Sequence, residues 1–129
     1  MTSIFTILTT LLLLLLAVQL YALWKSKRNT GRKIEGVTGP LGEAIARGEK
    51  VMAYFFSPTC SQCKKLSPTI DRLRMEVPNI FKVDISEDKP TTRAFGVMAT
   101  PTTVIVNEGI IQRVLLGIKP ESDLRKLMQ

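Results

Sequence analysis

The sequence predicts an α/β domain, a mixed central sheet with helices on both faces, preceded by a single transmembrane helix. Three observations predict it. Residues 4–24 carry no charge and centre on the run Leu11 to Leu16. Beyond them, apolar runs of strand length alternate with helical periodicity in the order strand, helix, strand, helix, hairpin, helix. The only two cysteines, in Cys60-Ser61-Gln62-Cys63, fall between the first long apolar strand and the helix that follows it.

The apolar segment comes first. As a helix rising about 1.5 Å per residue, roughly twenty residues cover the ~30 Å hydrocarbon layer of a bilayer. Tyr21 and Trp24 then fall at the level of an aromatic belt. The expectation is a membrane anchor over residues 1–24, with residues 4–24 in contact with lipid. A cleaved signal peptide would show a basic start, a shorter apolar core and small residues at a cleavage site. Here Met1-Thr2-Ser3 carries only the terminal amine, and Gln19-Leu20-Tyr21 is bulky, so a retained single-pass anchor is the preferred reading. Lys25, Lys27, Arg28, Arg32 and Lys33 follow the span, and no Lys or Arg precedes it. Such residues resist translocation, which predicts a cytoplasmic domain, the alternative being a periplasmic or other extracytoplasmic one.

Charge narrows the partners. Residues 25–35 hold five basic residues against Glu35, so +4 of the net +7 lies there and +3 is spread over residues 36–129. That cluster suits anionic lipid head groups. A nucleic-acid patch would need basic and aromatic residues on the domain itself, and no nucleic-acid partner is expected. With the anchor set aside, the chain has room for one ordinary domain.

Residues 25–39 read as a basic linker, broken by Gly31, Gly36 and Gly39, with a short strand at 33–37. The domain is expected over 40–129. Pro40 to Gly48 opens on proline and closes on glycine, a short helix. Val51 to Phe56 is continuously apolar, as a strand buried on both faces must be. From Cys60 to Val77 apolar residues recur at 63, 66, 70, 73 and 77, an amphipathic helix in which Pro68 should introduce a kink. Ile80 to Ile85 reads as a second strand, and Pro90 to Phe95 as a short helix ended by Gly96. Residues 102–106 and 110–116 flank Asn107-Glu108-Gly109, a hairpin signal. Pro120 to Met128 closes the chain as a helix.

A vicinal thiol pair at a helix N-terminus has a specific chemistry, because backbone N–H groups and the macrodipole favour a thiolate there. Zinc would need four Cys or His ligands, and two cysteines with no histidine cannot supply them within one chain. A structural disulfide across two residues would restrain little of the unfolded chain. Inert core thiols fit poorly with the flanking Ser57-Pro58-Thr59 and Lys64-Lys65, which indicate a turn and an exposed helix start. The pair therefore reads as a dithiol/disulfide redox centre, with a thiol pKa at Cys60 below the free value of about 8.5. No metal and no bound cofactor is expected; the redox-active disulfide is itself the reacting group.

Beyond the two thiols, Pro68 in the following helix, Lys82-Val83-Asp84, Phe95-Gly96-Val97 leading to Thr100-Pro101-Thr102, and Gly117 occur in the order and approximate spacing of the thioredoxin superfamily. Residues 34–129 resemble that family. The resemblance implies a thioredoxin-like fold, Cys60 as the exposed nucleophile and Cys63 as the buried resolving thiol. It further implies a cis peptide at Thr100-Pro101 beside Cys60, and substrate contacts from Thr59, Ser61, Gln62, Thr100, Pro101 and Gly117. Composition alone would also allow Pro101 merely to start an edge strand.

Departures from the pattern are local. Thr59 stands where the family usually has Trp, Ser61-Gln62 replaces Gly-Pro, and Tyr54 replaces a buried Asp that assists the resolving cysteine. Lys82, the counterpart of a lysine beside that Asp, is expected to have lost its partner. Tyr54 reads as a packing residue, since a phenol with an ordinary pKa near 10 is a poor base at neutral pH. The implied function is a membrane-tethered thiol-disulfide oxidoreductase, a reductase or exchanger acting on protein disulfides and recharged by an electron-donating reductase. Its alternatives are an exported reductase serving cytochrome or metal-site assembly, and a non-catalytic docking module.

Overall fold

The computed structural model describes the backbone of residues 1–129 and the side chains of all but residues 22, 23 and 25–29. The basic residues Lys25, Lys27 and Arg28 therefore lie outside the described side chains, and so does the lipid contact read from them.

Helix α1 spans Thr2–Asn29, running past the apolar stretch. Within it Thr2–Tyr21 is long and apolar enough to cross a bilayer, and none of that stretch is buried against the domain. A core helix of a soluble protein would be buried, so that explanation fails and a membrane span or a signal sequence remains. Thr6, Thr9 and Thr10 turn their hydroxyls back onto carbonyls three and four residues earlier, at 2.9–3.1 Å. Polar groups are thereby satisfied inside the helix, as an apolar solvent demands.

The domain is a four-stranded mixed sheet in the order β2-β1-β3-β4. Strand β1 (Val51–Phe56) pairs in parallel with β2 (Ile80–Asp84) and antiparallel with β3 (Thr102–Asn107), which pairs antiparallel with β4 (Ile110–Leu116). The continuous apolar run of β1 is explained by its central place: Val51 to Phe55 are all fully buried. The two residues that join β3 to β4, Glu108 and Gly109, both have positive φ (55° and 76°). That backbone matches the twist of the flanking strands, and the expected hairpin forms.

Alternation along the strands splits the core. One layer packs Val51, Ala53, Phe55, Val104 and Val106 against Leu41, Ala44 and Ile45 of α2 (Gly39–Ala46) and Phe95 of α4 (Lys89–Phe95). The other packs Met52, Tyr54, Ile80 and Ile105 against Leu66, Ile70 and Leu73 of α3 (Ser61–Glu76) and Leu124 of α5 (Glu121–Leu127). Helices thus cover both faces. The three-and-four spacing in α3 places Leu66, Ile70 and Leu73 on the sheet. Helix α3 continues through Pro68 without a break.

The segment after α1 differs from a free linker with a strand. Lys33 makes only an isolated bridge to Ile110, while Ile34 is 5% exposed and belongs to the α2-side core. Composition around it is polar and glycine-rich, so a single buried isoleucine leaves no periodic trace.

Candidate active site

The site starts from the end of β1. Ser57 turns the chain: its carbonyl accepts from the Cys60 N–H at 3.2 Å, and its hydroxyl meets that of Thr59 at 3.1 Å. Cys60 then becomes the N-cap of α3, its sulfur accepting the Cys63 N–H at 3.2 Å. A first-turn amide has no intrahelical acceptor, so it is free to point at sulfur and to stabilise negative charge there. Cys60 and Cys63 are joined as a disulfide, with Cα atoms 5.2 Å apart. Cys60 is half-buried, whereas Cys63 is 2% exposed. The two sulfurs are inequivalent in the sense that disulfide exchange requires, one reachable and one shielded.

Register brings the other sequence-derived residues to this end of the sheet. Phe55 pairs with Thr102, so Thr100 and Pro101 lie at the same end as the turn 57–60. The Thr100-Pro101 peptide is cis, Thr102 closes the preceding loop with a hydroxyl bond to the Ala99 carbonyl (2.6 Å), and Gly117 donates its N–H to the Pro101 carbonyl (3.0 Å). Pro101 therefore does more than open an edge strand. Thr59, Ser61 and Gln62 are exposed around the disulfide, and Thr100 and Gly117 are half-buried.

Tyr54 lies beneath the thiol turn, fully buried. Its hydroxyl donates to the Cys63 carbonyl at 3.2 Å and shares a 3.0 Å hydrogen bond with Ser67. Burial pushes its pKa up, opposed by the Ser67 hydrogen bond, and the nearby Asp71 charge pushes it further up. A phenol held neutral in this way braces the helix start and is no base at physiological pH.

Lys82 corrects the sequence reading. Its ammonium pairs with Asp71 of α3 at 3.1 Å and lies 5.1 Å from the centre of the Phe56 ring, so it has a partner, drawn from a different element. Parallel pairing of β1 with β2 sets Lys82 opposite Tyr54, on the face that α3 covers. A cleft of about 300 Å³ opens beside Cys63, bordered by Ser67 and Asp71. Sequence reasoning missed these two residues, although a signal existed: 63, 67 and 71 are spaced by four and share one helical face.

A half-buried N-cap cysteine bonded to a shielded one, on a mixed sheet with a cis-proline loop at the same end, defines a thiol-disulfide oxidoreductase. Comparison with known proteins agrees. The thioredoxin family model matches residues 40–129. Thioredoxin of Bacillus subtilis is 32% identical over 81 residues, covering 60% of this chain and 78% of that protein. Thioredoxin of Chlamydia muridarum is 33% identical over 88 residues, 67% of this chain and 85% of the relative. Among solved structures, a single-substitution mutant of thioredoxin from Halobacterium salinarum superposes with a TM-score of 0.64 at 25% identity, covering 78% of this chain and 88% of the other. The chain belongs to the thioredoxin family.

Proposed function

We propose that this protein is a membrane-tethered reductase or exchanger of protein disulfides, with its domain on the cytoplasmic side. The observation that carries the chemistry is the inequality of the two sulfurs under one helix N-terminus. In the reduced protein the Cys60 thiolate attacks a client disulfide; a mixed disulfide forms and the client's other sulfur departs as a thiolate, which takes the proton that the Cys63 thiol gives up. The Cys63 thiolate then attacks the Cys60 sulfur, the client's second thiolate leaves, and the Cys60–Cys63 bond closes. Two electrons pass to the client. A dithiol reductase must return them, since the Cys60–Cys63 disulfide is the spent form of a reductase.

Direction depends on potential. Family members span about −270 to −120 mV, and Ser61-Gln62 replaces the pair usual in thioredoxin, so equilibrium of the couple against glutathione decides reductant from oxidant. The tether rests on the exposed apolar face of α1, and the side on the basic residues after it.

The deciding experiment is alkylation of Cys60 in the reduced full chain as a function of pH. A midpoint below about 8.5 is expected; a midpoint at or above it removes the nucleophile assignment. In intact cells a membrane-impermeant maleimide should leave Cys60 unlabelled, and labelling would reverse the assigned side.

A further inference from the structure

The stretch joining α1 to the domain is clamped. Gly31 donates its N–H to the Ile111 carbonyl at 2.7 Å, the Arg32 carbonyl accepts from the Ile111 N–H at 3.0 Å, and Ile34 donates to the Gly109 carbonyl at 2.8 Å. The Arg32 guanidinium also reaches the Ala94 carbonyl on α4 at 2.6 Å, and Ile34 is buried in the core. Helix α1 ends at Asn29, which leaves Thr30 alone between the helix and this clamp. One extended residue spans at most about 3.6 Å, and the eight helical residues between Tyr21 and Thr30 add a stiff stalk of about 12 Å, so the tether is short.

Clamp and disulfide occupy opposite ends of the sheet. Ile111 pairs with Val106, and Val106 pairs with Val51, the first residue of β1. Cys60 follows the last residue of β1, in the region of the row Phe55, Thr102 and Leu116. From Val51 to Phe56 the chain advances about 17 Å at ~3.3 Å per residue, and the turn to Cys60 comes after that. The two ends also differ in character. The clamp end carries charge, with Lys33 and Glu35 exposed and ion-paired at 3.5 Å, while exposed Met98, Leu116 and Ile118 flank the Pro101 and Gly117 segments in sequence.

Resting on the reading of α1 as a membrane span, we propose that the domain is held close above the bilayer with its β3–β4 hairpin end towards it and presents the Cys60–Cys63 disulfide at the pole away from the membrane. Its client is then a disulfide carried by a protein in the aqueous phase, not one held at the bilayer surface. A domain on a long flexible linker would serve both, and the clamp leaves only Thr30 between helix and domain.

The test uses the full chain in lipid vesicles carrying a quencher on their head groups. One variant, Cys63→Ser, takes a fluorophore at Cys60; another, Glu108→Cys in a Cys60→Ser and Cys63→Ser background, takes it at the hairpin tip. The expected result is quenching several-fold stronger at 108 than at 60. Equal quenching at the two positions, or stronger quenching at 60, in protein that floats with the vesicles, overturns the orientation while leaving the tether intact. Protein that fails to float overturns the tether and the orientation together. As a functional arm, the reduced wild-type chain in vesicles should reduce a soluble disulfide several-fold faster than the same disulfide coupled to a lipid head group, and lengthening the segment at Thr30 with Gly-Ser residues should narrow that ratio. A ratio near one in the unmodified chain also overturns the orientation.

Discussion

Replacing Tyr54 by Phe is the sharpest probe of how the core holds the thiol turn. The ring stays, packed against Phe56 at 5.8 Å, and only the hydroxyl goes. Two hydrogen bonds disappear with it, to the Cys63 carbonyl and to Ser67, and the first of these acceptors is buried. A neutral hydrogen bond contributes about 0.5–1.5 kcal/mol net, and a buried group left unpaired costs about 1–3 kcal/mol. The Ser67 hydroxyl borders the cleft and can turn to water. A loss of about 1.5–2.5 kcal/mol follows from the Cys63 carbonyl plus a fraction for Ser67. For a domain of this size 1 kcal/mol shifts Tm by about 4–8 °C, so thermal unfolding of the oxidised protein should fall by roughly 6–20 °C. The pH dependence has a definite sign. Because the folded phenol's pKa is raised, the folded state holds that proton more tightly. Tyr54 contributes its stability in full below the unfolded value of about 10 and loses it as pH rises through the higher folded value. The gap between wild type and variant should therefore be widest near neutrality and shrink above about pH 10. Insulin-disulfide reduction should change little, with an unaltered pH profile. An unchanged Tm would refute the bracing role, and a lost or shifted pH profile would make Tyr54 a proton acceptor instead.

Other substitutions separate the remaining roles. Cys60→Ser should abolish disulfide reduction, while Cys63→Ser should accumulate a mixed disulfide with client visible on a non-reducing gel; persistent turnover in Cys60→Ser would favour a docking module. Ile34→Ala should cost about 2–5 kcal/mol in denaturant unfolding, as truncation of a core residue does, whereas a free linker would show no change. Asp88→Ala should cost about 0.5–2 kcal/mol, because the Asp88 carboxylate accepts the Thr91 N–H at 3.1 Å as the N-cap of α4.

Much of the fold was legible because its elements are local. Val51 to Phe56 had to be a two-sided buried strand, the spacing of Cys63, Leu66, Ile70 and Leu73 a helix, and Glu108-Gly109 a turn. Both cysteines were legible as well, since their chemistry follows from position relative to one strand and one helix. Lys82 was not. Its partner Asp71 is eleven residues away on another element, and nothing in a sequence reports which carboxylate a folded helix swings toward a strand.

The residue order by itself determined the element types, the apolar helix, the redox pair and the family pattern, because each depends on periodicity or composition over a few neighbouring positions. Tertiary structure alone decided that Ile34 is core, that Tyr54 ties down the Cys63 carbonyl, and that the clamp at Ile111 and the disulfide lie at opposite ends of the sheet. Those are consequences of strand register and of which faces meet, and register is set by the packing of residues far apart in the chain.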